Sequence, residues 1–176
     1  MSDIIIRDAT VNDIEEVAKL HVDSWRETYA GIISQNYLEN IKKNIDKRII
    51  RMKNEFNLRH MIVAVLDDEI VGFSEFVLSN EFSKDLEIDC ELCGLYIKNG
   101  YKHMGLGSKI FEYVAKLFKD NSKKKMGVWC VKENIPAVSF YKKKGGVSTK
   151  EKTFTIENQE YREIAFIFEL ARFVVL

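Results

Sequence analysis

The chain has 176 residues, 46% of them hydrophobic and 31% charged, with a single proline, which suits one soluble globular domain spanning residues 1–176. Its 27 basic and 27 acidic side chains cancel to a formal net charge of zero, so there is no excess positive field to gather nucleic-acid backbones. No apolar run reaches membrane length and no secretory leader is expected, since only three isoleucines separate Asp3 from Arg7; a cytoplasmic protein is the expectation.

In chain order, Ile4 to Arg7 reads as a first strand. Thr10 can cap a helix whose apolar stripe is Val11, Ile14, Ala18, Val22, Trp25 and Tyr29, with His21 beside it as a core histidine. A second helical region runs from Gln35 to Phe56 and breaks near Lys43-Asn44. His60 to Leu66 and Ile70 to Leu78 flank Asp67-Asp68-Glu69 as a hairpin, and Asp85 or Leu86 to Ile97 extends it into a meander that stops at Asn99-Gly100. Ile110, Phe111, Val114, Leu117 and Phe118 recur at the spacing of one buried helical stripe. That helix crosses to a strand at Gly127 to Val131, the one parallel pairing expected. Asn134 and Pro136 mark the start of another helix. Thr153 to Glu157 and Tyr161 to Leu170 form a last hairpin around Asn158-Gln159. The terminal ELARFVVL either finishes the sheet or pairs with another subunit, so a monomer or a homodimer is expected.

Three cysteines leave an odd one and suggest no disulfide framework. Cys90-x-x-Cys93 has metal-ligand spacing, but no second pair follows, and residues three apart on a strand face opposite ways. His21, His60 and His103 are scattered, and no metal is expected. The lysine runs at Lys123 to Lys125 and Lys142 to Lys144 are read as solvated helix ends.

The chemistry concentrates in Tyr101 to Ser108, a basic loop between a strand and a helix. Gly105 and Gly107 permit backbone angles and close approaches that a side chain would block. Successive amides at the positive end of a helix can bind a phosphate, so an anionic phosphate ester is the expected ligand. The plain alternative is a tight connection without a ligand. A dinucleotide fingerprint is half matched, with Glu133 at the end of the next strand. However, Ile110 replaces its third glycine, and Gly105 comes eight residues after the strand ends at Ile97. No Gly-Lys-Ser/Thr closes a P-loop.

Lys102 to Gly107 resembles the Q/R-x-x-G-x-G/A signature of the GNAT superfamily of N-acetyltransferases, with Lys102 where the family usually has Gln or Arg. The preceding Glu91 to Ile97 is similar to that family's central strand. Trp129 to Asn134, then Ala137, Phe140-Tyr141 and Gly145-Gly146, is similar to its next strand and helix. The likeness extends more loosely from Ile4 to the C-terminus. The order βααβββαβαββ then implies an α/β (α+β) GNAT fold: a mixed, mostly antiparallel sheet of about seven strands with helices on both faces.

That resemblance implies acetyl-coenzyme A as cosubstrate, no metal, and a small-molecule or peptide amine as acceptor. The main chain of Leu95, Tyr96 and Ile97 would pair with the pantetheine arm, the Ile97 amide facing the thioester carbonyl. The loop from Lys102 through His103, Met104, Gly105, Leu106 and Gly107 to Ser108 would hold the pyrophosphate. Asn134 would bond the coenzyme arm, with Phe140 beside it. Tyr141 matches the family's general acid; its plain reading is a core aromatic. Trp25 and Tyr29 fall where the family lines its acceptor pocket.

Glu91 is the base candidate: strand alternation places it in a row with Cys93, Leu95 and Ile97, where burial would raise its pKa. A bulge nearby would reverse that facing. Glu75 shares a face with Phe73 and Val77 and is held in reserve as base or as a ligand for a cationic acceptor. The expected function is acetyl transfer to a primary amine. A non-catalytic acyl-coenzyme A sensor is the alternative, and a nicotinamide dehydrogenase the third reading.

Overall fold

The computed structural model describes residues 3–173. In chain order the strands and α-helices are β1 (Ile5–Asp8), α1 (Ile14–Thr28), α2 (Gln35–Lys43), α3 (Ile45–Asn54), β2 (His60–Leu66), β3 (Glu69–Val77), β4 (Cys90–Ile97), α4 (Leu106–Asp120), β5 (Lys125–Val131), α5 (Ile135–Lys143), β6 (Val147–Ile156) and β7 (Gln159–Glu169). The strands form one sheet in the order β1-β2-β3-β4-β5-β7-β6, antiparallel except where β4 meets β5. This is the mixed, mostly antiparallel sheet that the sequence pattern implies.

Local chemistry sets most of the boundaries. Asp67 and Asp68 take φ of 50° and 63°, and Glu157 and Asn158 take 49° and 64°. Both pairs make the doubly left-handed hairpin turn whose twist matches that of the strands. The last turn therefore falls one residue earlier than expected. Arg7 grips the Asp13 carboxylate at 2.8 and 2.9 Å, and that carboxylate also accepts the Thr10 amide at 2.6 Å. The first turn, Val11–Asp13, is 3-10 helix and Val11 is exposed, so the α-helical stripe begins at Ile14 rather than Val11. Asn44 divides the second helical region into α2 and α3, its side-chain amide donating to Asn40 O at 2.9 Å. Asn134 caps α5 by accepting the Ala137 amide at 3.2 Å, with Pro136 in the first turn.

The sheet is covered on both faces. Ile110, Phe111, Val114 and Phe118 of α4 pack on Leu92, Met126, Phe166 and Phe168, all buried. On the other face Ile14, Val17 and Ala18 of α1 cover Val63, Ile70 and Phe73. Complete burial of each large apolar side chain contributes about 1.5–3 kcal/mol. After β7 the chain turns through Leu170–Arg172, burying Leu170 and setting Phe173 against Phe111 at 5.6 Å between ring centroids. This part of the terminal segment folds onto α4 instead of lengthening the sheet, and residues 174–176 lie outside those described.

Two departures from the expected pattern shape the centre of the sheet. First, β4 begins at Cys90, not near Leu86. The Asp89 carboxylate accepts the Lys124 and Lys125 amides at 2.8 and 2.9 Å, while Leu86 and Ile88 pack against Ala165. Second, Glu75 pairs with Gly94 but Phe76 with Leu92, so Cys93 is an extra residue that bulges β4. The bulge reverses the facing of everything before it. Leu92 joins Leu95 and Ile97 on the α4 side, and Glu91 falls on the opposite face, with Tyr96. The expected row of Glu91, Cys93, Leu95 and Ile97 is thus corrected.

Candidate active site

The parallel pairing of β4 with β5 is confined to Cys90 with Met126 and Glu91 with Gly127. Beyond those rungs the strands separate and leave main-chain groups without a sheet partner. Lys98 donates its amide to Val71 O at 2.9 Å, so alternation turns Tyr96 toward β3 and Leu95 and Ile97 into the gap. Tyr96 therefore does not present its main chain to a ligand there, contrary to expectation. Ser24 Oγ donates to the Ile97 carbonyl at 3.3 Å. On the other wall Lys132 donates to Arg162 O at 2.8 Å, which turns Trp129 and Val131 toward the gap.

The result is a cleft of about 1050 Å³. Small-molecule sites usually occupy about 300–1,000 Å³, so there is room for a long ligand and part of a second one.

One end of the cleft is the loop before α4. His103 and Gly105 take φ of 64° and 79°, bending the chain twice through left-handed geometry. Gly105 is the N-cap and provides no side-chain acceptor, so the first amides of α4 have no capping side chain. At Gly107 a β-carbon would sit 3.8 Å from both Leu95 and Phe140, filling the floor between them. Lys102, His103, Gly105, Gly107 and Ser108 line the cleft. Met104 is 63% exposed and Leu106 is buried in the core, so neither places its side chain in the cavity. Lys102 is paired with Glu27 at 2.9 Å. Uncapped helix amides, a glycine floor and a neighbouring lysine fit a diphosphate ester.

The middle of the cleft carries hydroxyls. Tyr141 is 6% exposed, with its ring among Phe111, Phe140, Phe166 and Phe168, and it lines the cavity. Burial pushes its phenol above the usual range, reinforced by Cys130, Tyr96 and Tyr29 nearby, so it stays protonated at neutral pH. The Tyr96 phenol is pushed up to about 12 by burial and accepts from Trp25 Nε1 at 3.4 Å. The Tyr29 phenol also rises through burial, and its oxygen faces the Asn134 amide. Cys93 and Cys130 line the cleft with thiols pushed up to about 12 by burial, so both are neutral and poor nucleophiles.

The carboxylates are distributed differently from the sequence-based expectation. Glu91 is 7% exposed, off the cleft lining, and its Oε2 has no hydrogen-bond partner; burial raises its pKa. Glu75 is also off the lining, paired with Arg59 at 3.5 Å, and its pKa is raised by burial. His21 packs against Trp25, Phe73 and Tyr96 and meets Arg48 Nη2 at 2.7 Å. Burial, then Arg48 and Arg51, hold it well below its ordinary pKa, so it is neutral. Trp25 and Tyr29 do line the cleft. Glu163, Tyr37, Phe154 and Ile156 line it as well and were not singled out from sequence, and Trp129, named there only as part of its strand, joins them. Alternation along β7 was the available signal, since Tyr161, Glu163 and Ala165 share a face. What the sequence did not disclose was that β7 pairs with β5.

A gap between two parallel strands, with an uncapped helix start at one end and a protonated phenol in its wall, is the arrangement that the acetyltransferase resemblance implies. The model for the acetyltransferase (GNAT) family matches residues 14–146. The chain is 30% identical over 166 residues to YuaI, an uncharacterized N-acetyltransferase of Bacillus subtilis (strain 168), covering 92% of this chain and 90% of that protein. It is 27% identical over 149 residues to a spermidine N(1)-acetyltransferase of Thermoplasma acidophilum, covering 81% and 87%. Among solved structures, it superposes on a GCN5-related N-acetyltransferase of Rhodopseudomonas palustris with a TM-score of 0.75, at 18% identity and covering 96% and 97%. It also superposes on the PaiA N-acetyltransferase of Thermoplasma acidophilum in complex with coenzyme A, with a TM-score of 0.68, at 23% identity and covering 92% and 98%. The chain belongs to the GNAT acetyltransferase family and is an enzyme of the N-acetyltransferase class. Among the described residues no three His, Cys, Asp or Glu side chains gather as a metal site, and no helix is long and apolar enough to cross a membrane.

Proposed function

We propose that this protein transfers an acetyl group from acetyl-coenzyme A to a primary amine of a polyamine, a peptide or another small cationic acceptor. The observation that carries this reading is the separation of β4 from β5 beside the uncapped start of α4. The coenzyme supplies an activated acyl thioester and a thiolate leaving group. The amides of the loop from His103 to Ser108 hold its diphosphate, with Lys102 close by. Leu95 and Ile97 offer the gap their main-chain groups, the Ile97 amide being placed to polarise a carbonyl. Phe140 and Asn134 flank the arm on the β5 side.

Tyr141, which its raised pKa keeps protonated at neutral pH, donates its proton to the departing sulfur as the carbon–sulfur bond breaks. The amine, entering past Trp25 and Tyr29, forms the new carbon–nitrogen bond and gives up a proton. Glu91, whose Oε2 has no hydrogen-bond partner and is buried behind the cleft lining, is the proposed final acceptor of that proton, which is relayed to it rather than passed by direct contact. Glu75 has no part in this step, because Arg59 holds it away from the cleft.

The test pairs thermal denaturation with a thiol-release assay across monoamines, diamines, polyamines and peptide amines. Acetyl-coenzyme A should raise the melting temperature, and at least one amine should liberate free thiol at a rate that saturates. Stabilisation without amine-dependent thiol would replace the enzyme with a coenzyme sensor. No stabilisation at all would remove the ligand assignment.

A further inference from the structure

The wall of the cleft facing β4 is completed by strands that take no part in the mechanism above. Tyr161, Glu163 and Ala165 of β7 point to the face away from α4 and α5, and Lys152, Phe154 and Ile156 of β6 lie beside them. Glu163 pairs in register with Val131 on one side and Lys152 on the other. Its carboxylate meets the Lys152 ammonium at 3.6 Å. The same ammonium stands 4.0 Å from the centre of the Trp129 indole. That indole is pinned: its Nε1 donates to the buried Ser83 hydroxyl at 2.9 Å, and it packs with Leu86, Ile88 and Ala165. Trp129 and Glu163 line the cleft, whereas Lys152 reaches them from the rim with 42% of its side chain exposed.

A fixed aromatic face and a carboxylate converging on one point make a site for an alkylammonium ion, and here the protein's own lysine fills it. We propose that Trp129 and Glu163 form a subsite for a second ammonium group on the acceptor, selecting diamines and polyamines, and that Lys152 occupies this subsite until such an acceptor arrives. The inference rests on amine acetylation as the reaction. The exchange keeps the charge count constant: one ammonium leaves the carboxylate as another takes its place, and Lys152 swings to solvent it already touches. Phe154 and Ile156 on the same strand give an apolar wall for the methylenes joining the two nitrogens.

The experiment measures kcat/KM for diaminobutane and for butylamine at saturating acetyl-coenzyme A, in the wild type, Glu163→Gln and Lys152→Met. Loss of a part-exposed ion pair, with the Trp129 face retained, should cut the diamine-to-monoamine ratio roughly threefold in Glu163→Gln. Removing the internal competitor should raise that ratio roughly threefold in Lys152→Met, a part-exposed site whose change leaves the fold intact. A ratio that stays constant in Glu163→Gln, or one that falls in Lys152→Met, would overturn the subsite. If wild-type protein releases thiol with no amine of any length, the transfer reaction fails and the subsite falls with it. Thiol release with unmoved ratios removes the subsite alone.

Discussion

Replacing Tyr141 by Phe isolates one oxygen atom. The ring keeps its neighbours, with centroids at 5.3 Å from Phe140, 5.9 Å from Phe166 and 6.3 Å from Phe111 and Phe168, so the aromatic packing that places α5 on the sheet is retained. Stability should therefore change by no more than about 1 kcal/mol, the usual net worth of one hydrogen-bonding group. The catalytic loss should be larger. Proton transfer from a positioned acid is worth about 10²–10⁴-fold in rate. In barrier height that is about 3–5 kcal/mol. The assay is steady-state thiol release at saturating amine, with coenzyme affinity measured separately by calorimetry. kcat should fall by the stated factor while the coenzyme dissociation constant stays nearly unchanged. The pH profile adds a second constraint. Burial raises the phenol above its ordinary value of about 10, so its protonated form persists and no falling limb due to Tyr141 should appear below about pH 10. Below that point the rate should only rise as the acceptor loses its proton. An unchanged kcat, or an equal loss of coenzyme affinity, would refute the role of Tyr141 as acid.

Three further outcomes follow from separate parts of the structure. Lys102 is held by Glu27 at 2.9 Å, so Glu27→Gln should free its charge for the diphosphate and tighten coenzyme binding by a few-fold, roughly 1 kcal/mol, as seen by calorimetry; weaker binding would argue that the pair itself shapes the loop. Gly105 sits at φ 79° with open space where a β-carbon would go, so Gly105→Ala should cost only the left-handed strain, about 1–2 kcal/mol, with Asn at that position recovering part of the loss in denaturant titration. Arg7, with help from the Thr10 amide, holds the Asp13 carboxyl at about 2, below its unfolded value of 3.8. A depressed carboxylate contributes stability above its unfolded pKa and loses it as the pH falls through the folded one. Asp13→Asn should therefore cost roughly 1 kcal/mol at pH 7, after allowance for solvent around Arg7, and the deficit should vanish between about pH 4 and pH 2. A deficit that persisted at pH 2 would contradict this.

Much of the architecture was legible because short-range rules act on it directly. Paired aspartates at 67 and 68 made a hairpin turn, Asn134 and Pro136 opened a helix, and the Ile110, Phe111, Val114 and Phe118 stripe named the buried face of α4. The glycine loop before α4 was legible for the same reason, since Gly105 requires a positive φ and the amides that follow depend only on where the helix starts.

Tertiary contacts decided what local pattern leaves free. The bulge at Cys93 arises where β4 accommodates the register of β3, a partner that strand alternation cannot see, and it moved Glu91 to the opposite face. Glu163 enters the cleft because β7 crosses to pair with β5, and no residue near it in sequence signals that choice. The chain by itself thus determined its elements, their turns and the glycine loop before α4, because these are set within a few residues. Which carboxylates reach the cleft awaited the sheet, because a strand's two faces are equivalent until its neighbours are in place.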